Sequence, residues 1–175
     1  KQGYLVYRIF DFVKRAKEAK KSKNYEDLKF ALYGLSHYVG DLTQPLHLTS
    51  DYDGQSLELD GIHNQFETKM LNRYSAQLEI NVAKLVKESL LPKLWNNITF
   101  EDLIVNIAQE SFNKSHPLLE DSRAALMKQP KRKENSTTRD RKHEFRFIKE
   151  LLWQGTGATA AAQLATGSQL WARTL

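Results

Sequence analysis

Histidine–carboxylate pairs with a four-residue spacing mark one stretch of this chain, residues 36–67. His37 precedes Asp41 by four residues, His63 precedes Glu67 by four, and His47 lies between the two pairs. On an α-helix, residues four apart lie one above the other, so each pair can offer a nitrogen and an oxygen donor to one point. Zinc accepts such donors, whereas calcium and magnesium prefer oxygen alone. The stretch therefore predicts helices that converge on a zinc site, with iron or manganese as less suitable metals.

Either pair taken alone has a simpler interpretation. Exposed pairs at this spacing are common on helices and contribute only tenths of a kcal/mol to helix stability. A surface salt bridge or a core histidine would explain each of them. The two pairs and His47 nevertheless fall within 31 residues of a chain that has five histidines, and this concentration favours a metal site. His116, which is followed by Pro117, is expected in a turn instead.

Apolar residues recur at helical spacing near the start of the chain. A first helix is predicted from residue 2 to about residue 20. A second is predicted from about Tyr25 to Leu42, because Pro45 prevents much continuation. A third begins near Gly61 and continues or restarts before Pro92. The polar residues between the second and third helices predict a loop.

The second half of the chain also shows helical periodicity. Thr99 is a predicted N-terminal cap, and Pro117 is expected to kink or restart the helix that follows. Leu103, Ile107 and Phe112 mark the apolar face of that helix. A last helix is predicted from Glu144 to Trp171, softened or interrupted at its glycines, Gly155 and Gly157. No alternation typical of strands is present, so we predict an all-α, single-domain, multi-helix fold.

Composition limits the classes of protein that need to be considered. A chain of 175 residues that is 41% hydrophobic and 27% charged is long enough for one domain with a core. No apolar run approaches the roughly 18 residues of a membrane span. Cysteine is absent, so a zinc site must use histidine and carboxylate, and the redox compartment is left open. The net charge of +5 mildly favours anionic partners, although a solvated surface explains it equally well.

Residues 128–142, KQPKRKENSTTRDRK, are charged and contain a proline. This composition predicts an exposed, mobile charged loop. A nucleic-acid-binding patch is the alternative, but the segment contains no aromatic residue that could stack on bases.

The segment LSHYVGDLTQPLHLT, followed by GIHNQFE, resembles the zinc-dependent phospholipase C and S1/P1 nuclease superfamily. Its members carry a His-Tyr/Phe-x-Gly-Asp-x-x-x-Pro-x-His segment and a later His-x-x-x-Glu or His-x-x-x-Asp pair. The resemblance implies an all-α fold and a cluster of up to three zinc ions. It also implies hydrolysis of phosphodiesters by a metal-bound hydroxide. By position in the motif, His37 would bind one zinc, and Asp41 would bridge two and act as the catalytic carboxylate. The remaining zinc would be held by His47, His63 and Glu67.

The upstream ligands of the family have no counterpart in this chain. Family members use an N-terminal Trp and further His and Asp ligands, whereas residue 1 here is Lys and His37 is the first histidine. The resemblance therefore implies that residues 1–175 lack the family's N-terminal segment. Alternatively, the cluster is degenerate and only the site of His47, His63 and Glu67 is complete.

The Phe66-Glu67 ending of the second motif resembles the phospholipase C branch, because nucleases more often have Trp-Asp there. We therefore expect a zinc-dependent, phospholipase C-like phosphodiester hydrolase. The alternatives are a single-strand nuclease of the S1/P1 type and a non-catalytic, zinc-stabilised helical binding protein. The expected substrate is a phospholipid headgroup or single-stranded nucleic acid, and peripheral membrane contact is left open. By resemblance, a secreted or periplasmic location is expected.

Overall fold

The computed structural model describes residues 4–88, 97–128 and 138–174. Within these ranges the chain forms six helices and no strand, so the predicted all-α fold is confirmed. Their bounds are α1 Leu5–Lys21, α2 Tyr25–Thr43, α3 residues 62–73, α4 Ser75–Glu88, α5 Phe100–Leu126 and α6 Thr138–Thr174. Short 3₁₀ turns occupy Pro45–Leu48 and Gln55–Leu57. None of the described helices combines the length and apolar character that crossing a bilayer requires.

Helices α1 and α2 pack against each other through their apolar stripes. Ile9 and Leu35 are almost completely buried at this contact. The side chain of Asn24 accepts a hydrogen bond of 3.2 Å from the backbone N–H of Asp27, which caps the start of α2. The helix ends at Thr43, two residues before Pro45, because proline cannot continue the backbone ladder.

The buried apolar side chains form two clusters. One joins α1, α2, α5 and α6 and includes Ile9, Leu42, Ile104 and Leu170. The other joins the turn Pro45–Leu48 to α3, α5 and α6, through Leu46, Phe66, Met70, Leu118 and Leu152. The second cluster fixes the turn and the helix that carry His47, His63 and Glu67, whereas His37 and Asp41 lie on α2, which packs in the first cluster.

Helix α5 differs from its prediction in two respects. Thr99 caps it as predicted, with its Oγ1 accepting from the backbone N–H of Asp102 at 3.0 Å. The helix runs through Pro117 without a restart, because the buried Leu118 and Leu119 hold the following turn against the core and outweigh the lost hydrogen bond. The kink expected at Pro117 stays a prediction. Phe112 is half exposed, and Ser111 takes the buried position next to it, since a spacing of five residues leaves the apolar stripe.

Helix α6 also departs from its prediction. It begins at Thr138 rather than near Glu144, in keeping with the high helix propensity of Arg and Lys. It runs without interruption through Gly155, where a Cβ atom would lie only 3.3 Å from the carbonyl oxygen of Asp121. Glycine there permits close approach of α5 and α6 rather than ending the helix. Of the predicted loop 128–142, residues 138–142 are therefore helical, and residues 129–137 lie outside the described residues.

Candidate metal centre

Three of the predicted ligands come together from two separate elements. His47 lies in the turn Pro45–Leu48, and His63 and Glu67 lie on successive turns of α3. One oxygen of Glu67, Oε2, is 2.6 Å from Nε2 of His63 and 3.4 Å from Nε2 of His47. All three donor atoms lie within 4.8 Å of one another, a wider spread than the roughly 4 Å expected around a bound ion. The group could hold one metal ion.

Each of these ligands directly follows a buried apolar residue. Leu46 precedes His47, Ile62 precedes His63 and Phe66 precedes Glu67, and all three apolar side chains are at most 3% exposed. Burying such a side chain contributes roughly 1.5–3 kcal/mol. The apolar anchors therefore fix the backbone next to each donor, while the donors keep between about a quarter and two-fifths of their side-chain surface in solvent.

The backbone of α3 changes its winding at the ligands. The helix begins as an α-helix over Ile62–Asn64, widens to a π-helix over Gln65–Met70 and returns to an α-helix over Leu71–Arg73. Short π segments are rare and frequently occur at functional sites. Glu67 lies inside the π segment, so its position relative to His63 differs from that of a regular helical pair.

The ring of His63 is oriented by the loop that precedes α3. Its Nδ1 atom lies 3.2 Å from the backbone carbonyl oxygen of Tyr52. A carbonyl can only accept, so this contact is a hydrogen bond when Nδ1 carries the proton, and Nε2 is the nitrogen that faces Glu67 and His47. Metal-binding histidines commonly have such a partner on their second nitrogen. This contribution of Tyr52 could not be predicted from the sequence, because a backbone carbonyl is common to every residue type.

Two further predicted ligands, Asp41 and His37, lie on α2 next to this group of three donors but are not part of it. Oδ1 of Asp41 is 3.7 Å from Nδ1 of His47, and its Oδ2 is 3.4 Å from Nε2 of His37. The side chain of His37 is about two-thirds exposed, whereas that of Asp41 is about one-fifth exposed. Imidazoles and carboxylates therefore alternate across the surface in the order His37, Asp41, His47, Glu67 and His63. The last three form the one group of three or more possible metal donors in the described residues.

A cleft of about 410 Å³ opens beside this array. His37, Asp41 and Glu67 lie on its wall together with residues of α6. Much of the remaining lining is apolar, with contributions from Pro45, Phe66, Leu71, Ala160 and Leu164. Clefts of this size bind small molecules or segments of larger ones. A group held in the cleft would lie next to the carboxylates.

The prediction for His116 was wrong. The residue lies inside α5, and its Nε2 is 3.9 Å from Oε1 of Glu120, four residues later. Both side chains are largely exposed, and they belong to no group of three possible donors among the described residues. This pair shows what an isolated histidine–carboxylate pair looks like in the same protein.

No protein-family model, no curated protein and no solved structure matches this chain. The resemblance to the phospholipase C and S1/P1 nuclease superfamily therefore stays an expectation from its motifs.

Proposed function

We propose that this chain is a zinc-dependent phosphodiester hydrolase whose zinc is bound by His47, His63 and Glu67. The observation that carries the proposal is the convergence of these donors from two separate elements beside a cleft. A zinc ion with three protein ligands keeps one position open, as catalytic zinc sites do and structural ones do not. Two nitrogen donors and one oxygen donor also suit zinc better than calcium or magnesium.

When bound, zinc would lower the pKa of water and offset the negative charge of a phosphodiester. Asp41 is the proposed catalytic residue, since its carboxylate lines the cleft and can accept a proton from water there. The same carboxylate lies 3.7 Å from Nδ1 of His47. His37 and Asp41 together would bind a further ion of the cluster that the resemblance implies.

The lining of the cleft favours a phospholipid over a nucleic acid as the substrate. A nuclease contacts several phosphates and draws much of its affinity from Lys and Arg. The described lining contains neither of these residue types, and several of its side chains are apolar. Such a lining suits a phosphodiester that carries an apolar group next to the reacting phosphate.

The face of α2 that carries His37 supports peripheral contact with a lipid surface. Tyr33 lies one helical turn before His37 and is 78% exposed, and Phe30 is 53% exposed. Exposed aromatic side chains are stable at the boundary between water and lipid, because they combine apolar bodies with polar edges or tips. Contact through this face would bring a lipid headgroup towards the cleft.

The test compares wild-type protein with Glu67→Gln, which keeps the size of the side chain and removes its charge. Zinc per chain is measured together with turnover of phosphatidylcholine in micelles and of single-stranded DNA. Wild-type protein should bind zinc and hydrolyse the lipid, and Glu67→Gln should lose both properties. Glu120→Gln, which alters the isolated pair with His116, should retain both.

The other outcomes separate the remaining functions. Hydrolysis of DNA without hydrolysis of lipid would assign the nuclease activity. Zinc binding without turnover of either substrate would assign a zinc-stabilised binding protein. Absence of zinc from the wild-type protein would contradict the proposed metal site itself.

A further inference from the structure

Asp53 binds the first turn of α3 through both of its carboxylate oxygens. Oδ2 accepts a hydrogen bond of 2.9 Å from the backbone N–H of Gly61, and Oδ1 accepts one of 3.0 Å from the backbone N–H of His63. The first N–H groups of a helix have no partner inside the helix, so a carboxylate there stabilises the helix start. Here one of the two bound N–H groups belongs to a metal-ligand candidate.

The residue before Asp53 binds the ring of the same histidine. The carbonyl oxygen of Tyr52 accepts from Nδ1 of His63 at 3.2 Å. Two consecutive loop residues therefore hold the backbone and the ring of His63 at the same time. In contrast, Nδ1 of His47 has the Asp41 carboxylate near it at 3.7 Å, beyond ordinary hydrogen-bond length.

The loop that carries Asp53 is itself rigidly held. Gly54 has a positive φ of 74°, and its N–H donates to the carbonyl oxygen of Asp51 at 3.2 Å. A Cβ atom at Gly54 would lie 2.7 Å from Cβ of Leu59 and 3.2 Å from Cδ2 of Leu119, so the loop packs closely on α5. The carboxylate of Asp51 also accepts hydrogen bonds from the backbone and hydroxyl of Ser56. The position of Asp53 is therefore fixed by the core rather than by solvent.

We propose that Asp53 is a positioning residue for the metal site, acting together with the Tyr52 carbonyl. Asp53 accepts a hydrogen bond from the backbone N–H of His63 while the carbonyl oxygen of Tyr52 contacts Nδ1. Together the two contacts orient the ring of His63 so that Nε2 faces the proposed metal position. The inference rests on the proposed zinc site, which it deepens by naming the group that orients one ligand. Loss of an outer partner of a metal ligand typically weakens metal binding by about 10- to 100-fold.

A plain helix-capping role is the competing explanation, and a matched control separates the two. Thr99→Ala removes a side-chain cap from α5, where Oγ1 accepts from the N–H of Asp102 at 3.0 Å, in a helix that carries none of the proposed metal ligands. Asp53→Ala removes the cap of α3. A cap that acts only through the overall stability of the fold would lower the stability of both variants and leave zinc affinity unchanged in both.

The experiment measures zinc affinity by competition with a chelating dye in the full chain. Asp53→Ala should bind zinc about 10- to 100-fold more weakly than wild type, whereas Thr99→Ala should stay within about threefold. Asp53→Asn keeps one acceptor oxygen and should fall between wild type and Asp53→Ala. Circular dichroism checks the folding of each variant, and Asp53→Asn serves as the test if Asp53→Ala does not fold. Equal zinc affinity in wild type and the folded Asp53 variants would overturn the proposal.

A second readout needs no metal. In metal-free wild-type protein, nitrogen-15 spectra of the His63 ring should show a proton on Nδ1, and that proton should exchange with solvent more slowly than in the folded Asp53 variant. If the Nδ1 proton exchanges equally fast in both proteins, the positioning role is wrong even where zinc binds. If wild type binds no zinc but the exchange rate changes as described, the proposed function fails while the orientation of His63 by Asp53 stands.

Discussion

A single oxygen of Glu67 faces two imidazoles, with Oε2 2.6 Å from Nε2 of His63 and 3.4 Å from Nε2 of His47. Donors around a tetrahedral zinc ion lie about 3.3 Å apart, given ligand distances near 2 Å. The contact with His47 already has this length, and the contact with His63 must widen by several tenths of an ångström. The donor atoms of the group span up to 4.8 Å, so zinc binding would also have to bring the two imidazole nitrogens closer together.

Glu67→Gln is expected to weaken zinc binding more than any change outside the ligands. The amide keeps the shape of the side chain but removes the charge that offsets the dication. A loss greater than about 100-fold is expected, beyond the cost of an outer partner. Competition with a chelating dye measures it, and Glu120→Gln provides the exposed, matched pair with His116. Equal losses in both variants would mean that Glu67 has no special role.

Asp41→Asn is expected to abolish phosphodiester turnover and to reduce the zinc content. Asp41 stands between His37 and His47, where the resemblance gives it the role of bridging two ions. Helix α2 should survive, because Asn and Asp have similar propensities late in a helix. Zinc per chain and turnover of phosphatidylcholine are measured on one sample. Full zinc and full activity in this variant would reduce Asp41 to a surface carboxylate of α2.

Gly54→Ala is expected to lower the free energy of unfolding by about 2–4 kcal/mol, through the combined cost of the left-handed backbone and the overlap. The new Cβ would lie 2.7 Å from Cβ of Leu59 at a φ of 74°. Gly61→Ala is the matched control, since its φ is 87° but nothing lies within 4 Å of the added atom. Gly61→Ala should lower the free energy of unfolding only by the cost of the left-handed backbone conformation, about 1–2 kcal/mol. Urea unfolding of both variants measures the difference, and equal costs would contradict the close packing of this loop.

Asp51 is expected to make the stability of the loop depend on pH. Its pKa is lowered from the ordinary 3.8, chiefly because the hydroxyl of Ser56 donates a hydrogen bond to the carboxylate. Stabilisation from a lowered pKa is present above the unfolded value and is lost as the pH falls through the folded value. Asp51→Asn should therefore lower the Tm at pH 7, and its difference from wild type should shrink below pH 3.8.

The fold was predictable where local signals agree with packing. Asn24 and Thr99 cap helices whose apolar stripes are buried, so the starts of α2 and α5 follow from short-range chemistry. The continuity of α5 and α6 was not predictable, because it depends on contacts between distant segments. Gly155 stays helical since α5 approaches it, and no local rule contains that contact.

The same distinction holds for the candidate site. The proximity of His47, His63 and Glu67 was anticipated from their spacing and motif, and each follows a buried apolar residue that fixes its backbone. The role of Asp53 was not anticipated, because it depends on a loop whose shape is set by the packing of Gly54 on α5. The π-helical winding around Glu67 likewise has no signature in residue types.

Anomalous diffraction at the zinc absorption edge, from crystals grown with zinc, tests the central claim most directly. The account predicts a peak roughly 2 Å from Nε2 of His47, from Nε2 of His63 and from a carboxylate oxygen of Glu67. A further peak near His37 and Asp41 would extend the site towards the cluster that the resemblance implies. No peak among the three ligands at saturating zinc, or peaks only at other surface histidines such as His116, would contradict the account.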